Sequence, residues 1–146
     1  MPLPEFNDVG NLPEGIYEVT VEEAIIRFGG TSKQRRMVTD RFKRILSLAV
    51  ATGKLESVLI FGSYVTSKLE PNDVDLILVM QDDFRPETAV GEVASLFDHG
   101  RAKLEFAADI FWIRPGLLIL DTLDAFKRRW QLTREGHRRG IIEVKP

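Results

Sequence analysis

Two neighbouring stretches, Val58-Leu59-Ile60-Phe61-Gly62-Ser63 and Asp73-Val74-Asp75-Leu76-Ile77-Leu78-Val79-Met80, are separated by nine residues. Each is a short apolar, β-rich run, and turn-forming Pro71-Asn72 stands just before the second, so both read as buried strands. Along a strand side chains alternate, which puts Asp73 and Asp75 on the same face at the mouth of an otherwise apolar strand. Two carboxylates crowded in this way raise each other's pKa and lose hydration, a cost that a divalent cation removes. Oxygen ligands of this kind suit Mg²⁺ or Mn²⁺. Gly62-Ser63 closes the first strand and enters a predicted helix. Glycine there lets backbone N–H groups approach a ligand closely, and the Ser63 hydroxyl adds a small donor, a pattern that suits a phosphate.

On either side of this centre the periodicity is helical. Thr20-Val21-Glu22-Glu23 fits a capping box and Gly29-Gly30 a stop, predicting a helix over 21–28. Thr31 or Ser32 caps a second helix, whose apolar face is Val38, Phe42, Ile45, Leu46, Ala49 and Val50 and whose stop is Gly53. Pro86 opens a helix to about Phe97, which His99-Gly100 breaks. Residues 104–113 read as a third strand, ended by Arg114-Pro115-Gly116. A last helix near 121–134 carries Leu123, Phe126, Lys127 and Trp130, and Ile141 to Val144 add an edge strand. The order predicts an α+β fold, a mixed β-sheet flanked by helices, in one domain over 1–146. Within it lie N-terminal helices at 20–53, a sheet core at 55–114, and a C-terminal helix and edge strand at 118–146.

Bulk composition excludes several classes. At 146 residues, with 44% hydrophobic and 29% charged residues, the chain has the usage of one ordinary globular unit. It has no cysteine, hence no disulfide scaffold, thiol nucleophile or cysteine zinc site. No basic segment leads into an apolar run at the start and no apolar window is long enough to span a bilayer, so a cytoplasmic protein without membrane contact is expected. The net charge of −2 conceals segregation: residues 31–54 carry seven Lys/Arg against one acid, and residues 55–119 carry eleven acids against five bases.

Hydrophobic strand, Gly62-Ser63, a nine-residue spacer and Asp73-Val74-Asp75 on a second strand together resemble the signature of the DNA polymerase β-like nucleotidyltransferase superfamily, in its minimal single-domain prokaryotic form. The likeness is strong over residues 57–80 and elsewhere extends only to the order of elements. It implies the nucleotidyltransferase fold and a third carboxylate on a later strand. Asp109, between Ala108 and Ile110, is the candidate, with Glu105 as the fallback; Asp82 and Asp83 read as loop acids. It further implies that Asp73 and Asp75 hold the metal ions bridging an NTP triphosphate, that Asp109 helps activate an attacking hydroxyl, and that Gly62 and Ser63 seat the phosphates. The transfer of a nucleoside monophosphate would then proceed by positioning and charge neutralisation.

The acceptor is open: a tRNA or other RNA, or a protein hydroxyl, with a partner chain or a homodimer completing the site as in small prokaryotic toxin–antitoxin nucleotidyltransferases. A non-catalytic nucleotide-binding or regulatory subunit is the alternative, and a structural protein with a coincidental D-x-D the third. The basic 31–54 segment, with Arg128, Arg129, Arg134, Arg138 and Arg139, is a candidate grip on RNA. Lys68 reads as a solvated loop lysine. His99 and His137 are assigned no role, and Trp112 and Trp130 read as core or interface aromatics rather than base-stacking platforms.

Overall fold

The computed structural model describes residues 3–30, 32–118, 122–133 and 136–146. A strand, β1 (Ile16–Thr20), passes straight into helix α1 (Val21–Phe28). The junction is the expected capping box: Glu23 N donates to Thr20 Oγ1 at 3.1 Å and Thr20 N to Glu23 Oε1 at 3.0 Å. Helix α2 (Lys33–Val50) is capped by Ser32, whose Oγ accepts from Arg35 N at 3.1 Å. Thr31, the other candidate cap, lies outside the described residues. Beyond α2 come β2 (Leu55–Phe61), β3 (Asp75–Met80), α3 (Gly91–Ser95), α4 (His99–Phe106), β4 (Asp109–Ile113), α5 (Leu123–Arg129) and β5 (Ile141–Lys145).

These strands form one mixed sheet in the order β1-β5-β2-β3-β4, with β1∥β5 and β3∥β4 parallel and the two pairs involving β2 antiparallel. Strand β5 is therefore not an edge but a central strand: its Ile141, Ile142, Glu143 and Val144 are all buried. Register places Phe61, Asp75 and Asp109 side by side across β2, β3 and β4. Val58, Ile60, Leu76, Leu78, Ile110, Ile142 and Val144 face the main core, where α1, α2 and α4 supply Phe28, Val38, Phe42, Ile45 and Phe106. On the opposite face Leu59, Ile77 and Val79 meet Phe126 and Trp130 from α5 and its C-terminal end.

The structure corrects four expectations from sequence. Residues 104–106 are helical, not strand: Asp98 caps α4 by accepting from Arg101 N at 3.1 Å, so His99-Gly100 opens a helix instead of ending one. The alternation Leu104, Phe106, Ala108, Ile110 imitates a strand, yet Ala102 and Phe106 are buried one helical turn apart while Leu104 is exposed. The helix expected from Pro86 to Phe97 is a 3₁₀ turn, Pro86–Thr88, followed by the short α3, because Gly91 enters with φ +63 and interrupts any continuous α-helical path. Ser63–Val65 is likewise a single 3₁₀ turn instead of a longer helix. The expected helix 121–134 ends early: α5 stops at Arg129 with Trp130 as its C-cap, and Leu132 forms an isolated bridge to Arg138, while 121 and 134 lie outside the described residues.

Candidate metal centre

Asp73 lies in the loop ahead of β3, one residue before Val74, Asp75 begins β3, and Asp109 begins β4. Pairing of Asp75 with Asp109 across the parallel β3–β4 ladder points both carboxylates to one face at one end of the sheet. One oxygen from each of Asp73, Asp75 and Asp109 lies within 4.8 Å of the other two. All three residues are partly buried, leaving room for water to complete a coordination shell around a cation. Glu105, the fallback, is elsewhere: it sits on α4 with its carboxylate 3.8 Å from Arg101. Asp82 accepts from Gly116 N at 2.7 Å and Asp83 pairs with Lys54 at 2.7 Å, so neither reaches the centre.

Gly62 is pressed against this centre. Its φ is +78, and a Cβ there would collide with Asp75 Oδ2 and stand 3.1 Å from Asp75 Cγ. Both the backbone conformation and the space therefore demand glycine. Ser63 follows, partly buried, in a turn closed by Val65 N to Gly62 O at 3.3 Å and by Thr66 Oγ1 to Ser63 O at 2.6 Å.

That loop is clamped from behind by Arg35, a residue read from sequence as part of a basic surface. Only 4% exposed, its guanidinium donates to Phe28 O and Tyr64 O at 2.9 Å, to Thr66 O at 2.6 Å, and to Lys68 O at 3.0 and 2.6 Å. Arg35 is thus unavailable to RNA. Moreover α2 and α5 pack on opposite faces of the sheet, so Lys33, Arg36, Lys43 and Arg44 do not form one surface with Arg128 and Arg129. Arg134 lies outside the described residues.

Electrostatics match a site built for positive charge. Burial, then the negative charge of Asp73 and the hydrogen bond and charge of Asp109, push the Asp75 carboxyl up to about 7. Burial pushes Asp109 up as well, but hydrogen bonds from Lys103 and Asp75 outweigh it and hold that carboxyl below its ordinary range. Lys103, unnoticed in the sequence, reaches from α4 with Nζ 3.0 Å from Asp73 Oδ2 and 3.2 Å from Asp109 Oδ2. These hydrogen bonds, the one to Asp73 foremost, raise the lysine's own pKa. His99 was also missed: its Nε2 stands 3.4 Å from Asp109 Oδ1 and its ring stacks on Phe111. Both residues are recognisable only once 99–106 is known to be a helix beside β4.

Trp112 is packed against Phe84 and Phe97 beside the main core, as expected, whereas Trp130 lies on the other face beside Phe61 and lines a cleft with Asp75 and Asp109.

Fold and site together define an α+β protein with a mixed five-stranded sheet and a three-carboxylate cluster at one end of it. Over residues 4–145 the chain matches, and belongs to, the family of unknown function DUF6932. No curated protein and no solved structure matches it.

Proposed function

We propose that this chain is a metal-dependent nucleotidyltransferase of the DNA polymerase β-like type, transferring a nucleoside monophosphate from an NTP to a hydroxyl of an RNA or a protein. The observation that carries the reading is the convergence of Asp73, Asp75 and Asp109 directly against the Gly62 turn. An all-oxygen donor set of three carboxylates fits Mg²⁺ or Mn²⁺, with Asp73, Asp75 and Asp109 as its holders. Such an ion would neutralise triphosphate charge and polarise the phosphoryl group under attack. Glycine at 62 keeps a side chain from crowding Asp75, and on this reading the Ser63 hydroxyl would donate to a phosphate oxygen. On this reading Asp109, beside His99, would help to activate the incoming hydroxyl. Arg35 fixes the loop on which Gly62 and Ser63 ride.

Incubating the protein with each α-labelled NTP, Mg²⁺ or Mn²⁺, and total RNA and protein tests the proposal. Label should pass to an acceptor, and Asp73→Asn and Asp75→Asn should each lower the rate on the order of 100-fold or more. Unchanged labelling in these variants would refute it. Lys103 favours one second reading, a non-catalytic nucleotide-binding subunit, because its ammonium already bridges Asp73 and Asp109. In that case no acceptor is labelled although Mg-NTP binds.

A further inference from the structure

The cleft in front of the carboxylates is walled by rings. It encloses about 400 Å³ and runs from Asp75 and Asp109 past Phe61, Phe111 and His99 to Trp130, Thr133 and Arg139. That volume falls in the range of small-molecule sites. Its rings touch in sequence: Phe61 and Trp130 have centroids 4.7 Å apart, Phe111 and Trp130 5.7 Å, and His99 is stacked on Phe111 at 4.8 Å with 22° between planes. Phe111, in the middle of the edge strand β4, is 38% exposed and lines the cleft, so part of its ring is open to a ligand. The spacing is also telling. Phe61 is the direct cross-strand partner of Asp75, and Phe111 lies on the face of Asp109 two residues further, about 7 Å along the strand. One end of the cleft is therefore suited to a metal-bound anion and the next to a flat aromatic group, at a separation of the size of a sugar and a phosphate.

We infer that this cleft holds the base of the nucleotide against the exposed surfaces of Phe111 and Trp130, with the triphosphate directed to Asp73, Asp75 and Asp109. The inference rests on the nucleotidyl-transfer reading and names the part of the substrate and the residues that grip it. Stacking is indifferent to base identity, so all four bases are accommodated, the larger purines more tightly.

Calorimetry on the full chain with Mg²⁺ complexes of ATP, GTP, CTP, UTP and inorganic tripolyphosphate tests it. In the wild type the nucleotides should bind more tightly than tripolyphosphate. Phe111→Leu, which keeps apolar bulk but removes the ring, should weaken nucleotide binding about 5- to 100-fold while tripolyphosphate binding changes less than about twofold. Phe111→Tyr should retain binding, which separates loss of the ring from loss of the fold. Equal affinity for tripolyphosphate and nucleotides in the wild type, or nucleotide binding by Phe111→Leu and Trp130→Leu as tight as wild type, would overturn the inference and leave the metal-centre reading standing. Absence of binding by every one of these probes would overturn both.

Discussion

The Lys103 ammonium and the Asp75 carboxyl both reduce the negative charge of the carboxylate cluster. Lys103 bridges Asp73 and Asp109, and Asp75 takes up a proton near neutrality instead of adding a third negative charge. A divalent cation bound there would have to compete with that lysine for the same oxygens. Lys103→Met should therefore strengthen Mn²⁺ binding about fivefold, measured by calorimetry, because a partly exposed ion pair is worth about 1 kcal/mol. Weaker binding in the variant would mean that the lysine instead helps to assemble the site. Asp75 sets a pH dependence whose sign follows from its raised pKa. Between its ordinary value of 3.8 and about 7 the folded chain holds a proton that the unfolded chain has released. Metal-free stability should then fall as pH rises through that window. Melting temperatures from pH 4 to 8 should show this decline, Asp75→Asn should flatten it, and Mg²⁺ should raise the melting temperature at pH 8 far more than at pH 5.

At the scale of elements, two charged side chains hold helices in place. Arg35 carries α2 onto four carbonyls, those of Phe28, Tyr64, Thr66 and Lys68. Removing it leaves these acceptors unpaired in the interior, so Arg35→Met should cost about 3–5 kcal/mol in denaturant unfolding and loosen the 62–68 loop. Lys127 of α5 lies 2.8 Å from both carboxylate oxygens of Glu143 on β5, which also accepts from Ser57 Oγ at 2.7 Å. Burial pushes Glu143 up, but the bonds from Lys127 and Ser57 outweigh it and hold the carboxyl below its ordinary range. Lys127→Met strands that charge, at about 3–5 kcal/mol near neutral pH. The loss should shrink below the ordinary glutamate range, as the carboxyl becomes protonated, and the double variant Lys127→Met, Glu143→Leu should recover most of it. Equal destabilisation at all pH values would show that the pair does not act through charge.

Across the whole molecule, what sequence makes legible is local. Val58–Ser63 and Asp73–Met80 declare themselves as strands by unbroken apolar runs, and the Thr20–Glu23 box marks a helix start to the residue. Asp109 was reachable from the third carboxylate that the resemblance implies, set in an apolar run, and the structure does bring it to Asp73 and Asp75. Long-range facts are a different matter. Nothing in Ile141–Lys145 tells that it is inserted between β1 and β2, because pairing partners are not encoded in a strand's own pattern. Strand β1 went unread, being only five residues long and partly exposed. Arg35 looks like its basic neighbours until the fold wraps carbonyls around it, and the helical stretch 99–106 hid Lys103 and His99 behind an alternation that mimics a strand. The opposite placement of α2 and α5 likewise separates two basic stretches whose relative placement the sequence leaves open.

The most direct measurement is a Mn²⁺ titration followed by electron paramagnetic resonance, with and without NTP, on wild type and on Asp73→Asn and Asp75→Asn. We expect the wild type to take up Mn²⁺, more tightly when NTP is present, and each substitution to abolish that NTP-dependent uptake while the protein stays folded. Mn²⁺ uptake that ignores NTP, or that survives both substitutions, would contradict a metal-nucleotide centre at Asp73, Asp75 and Asp109.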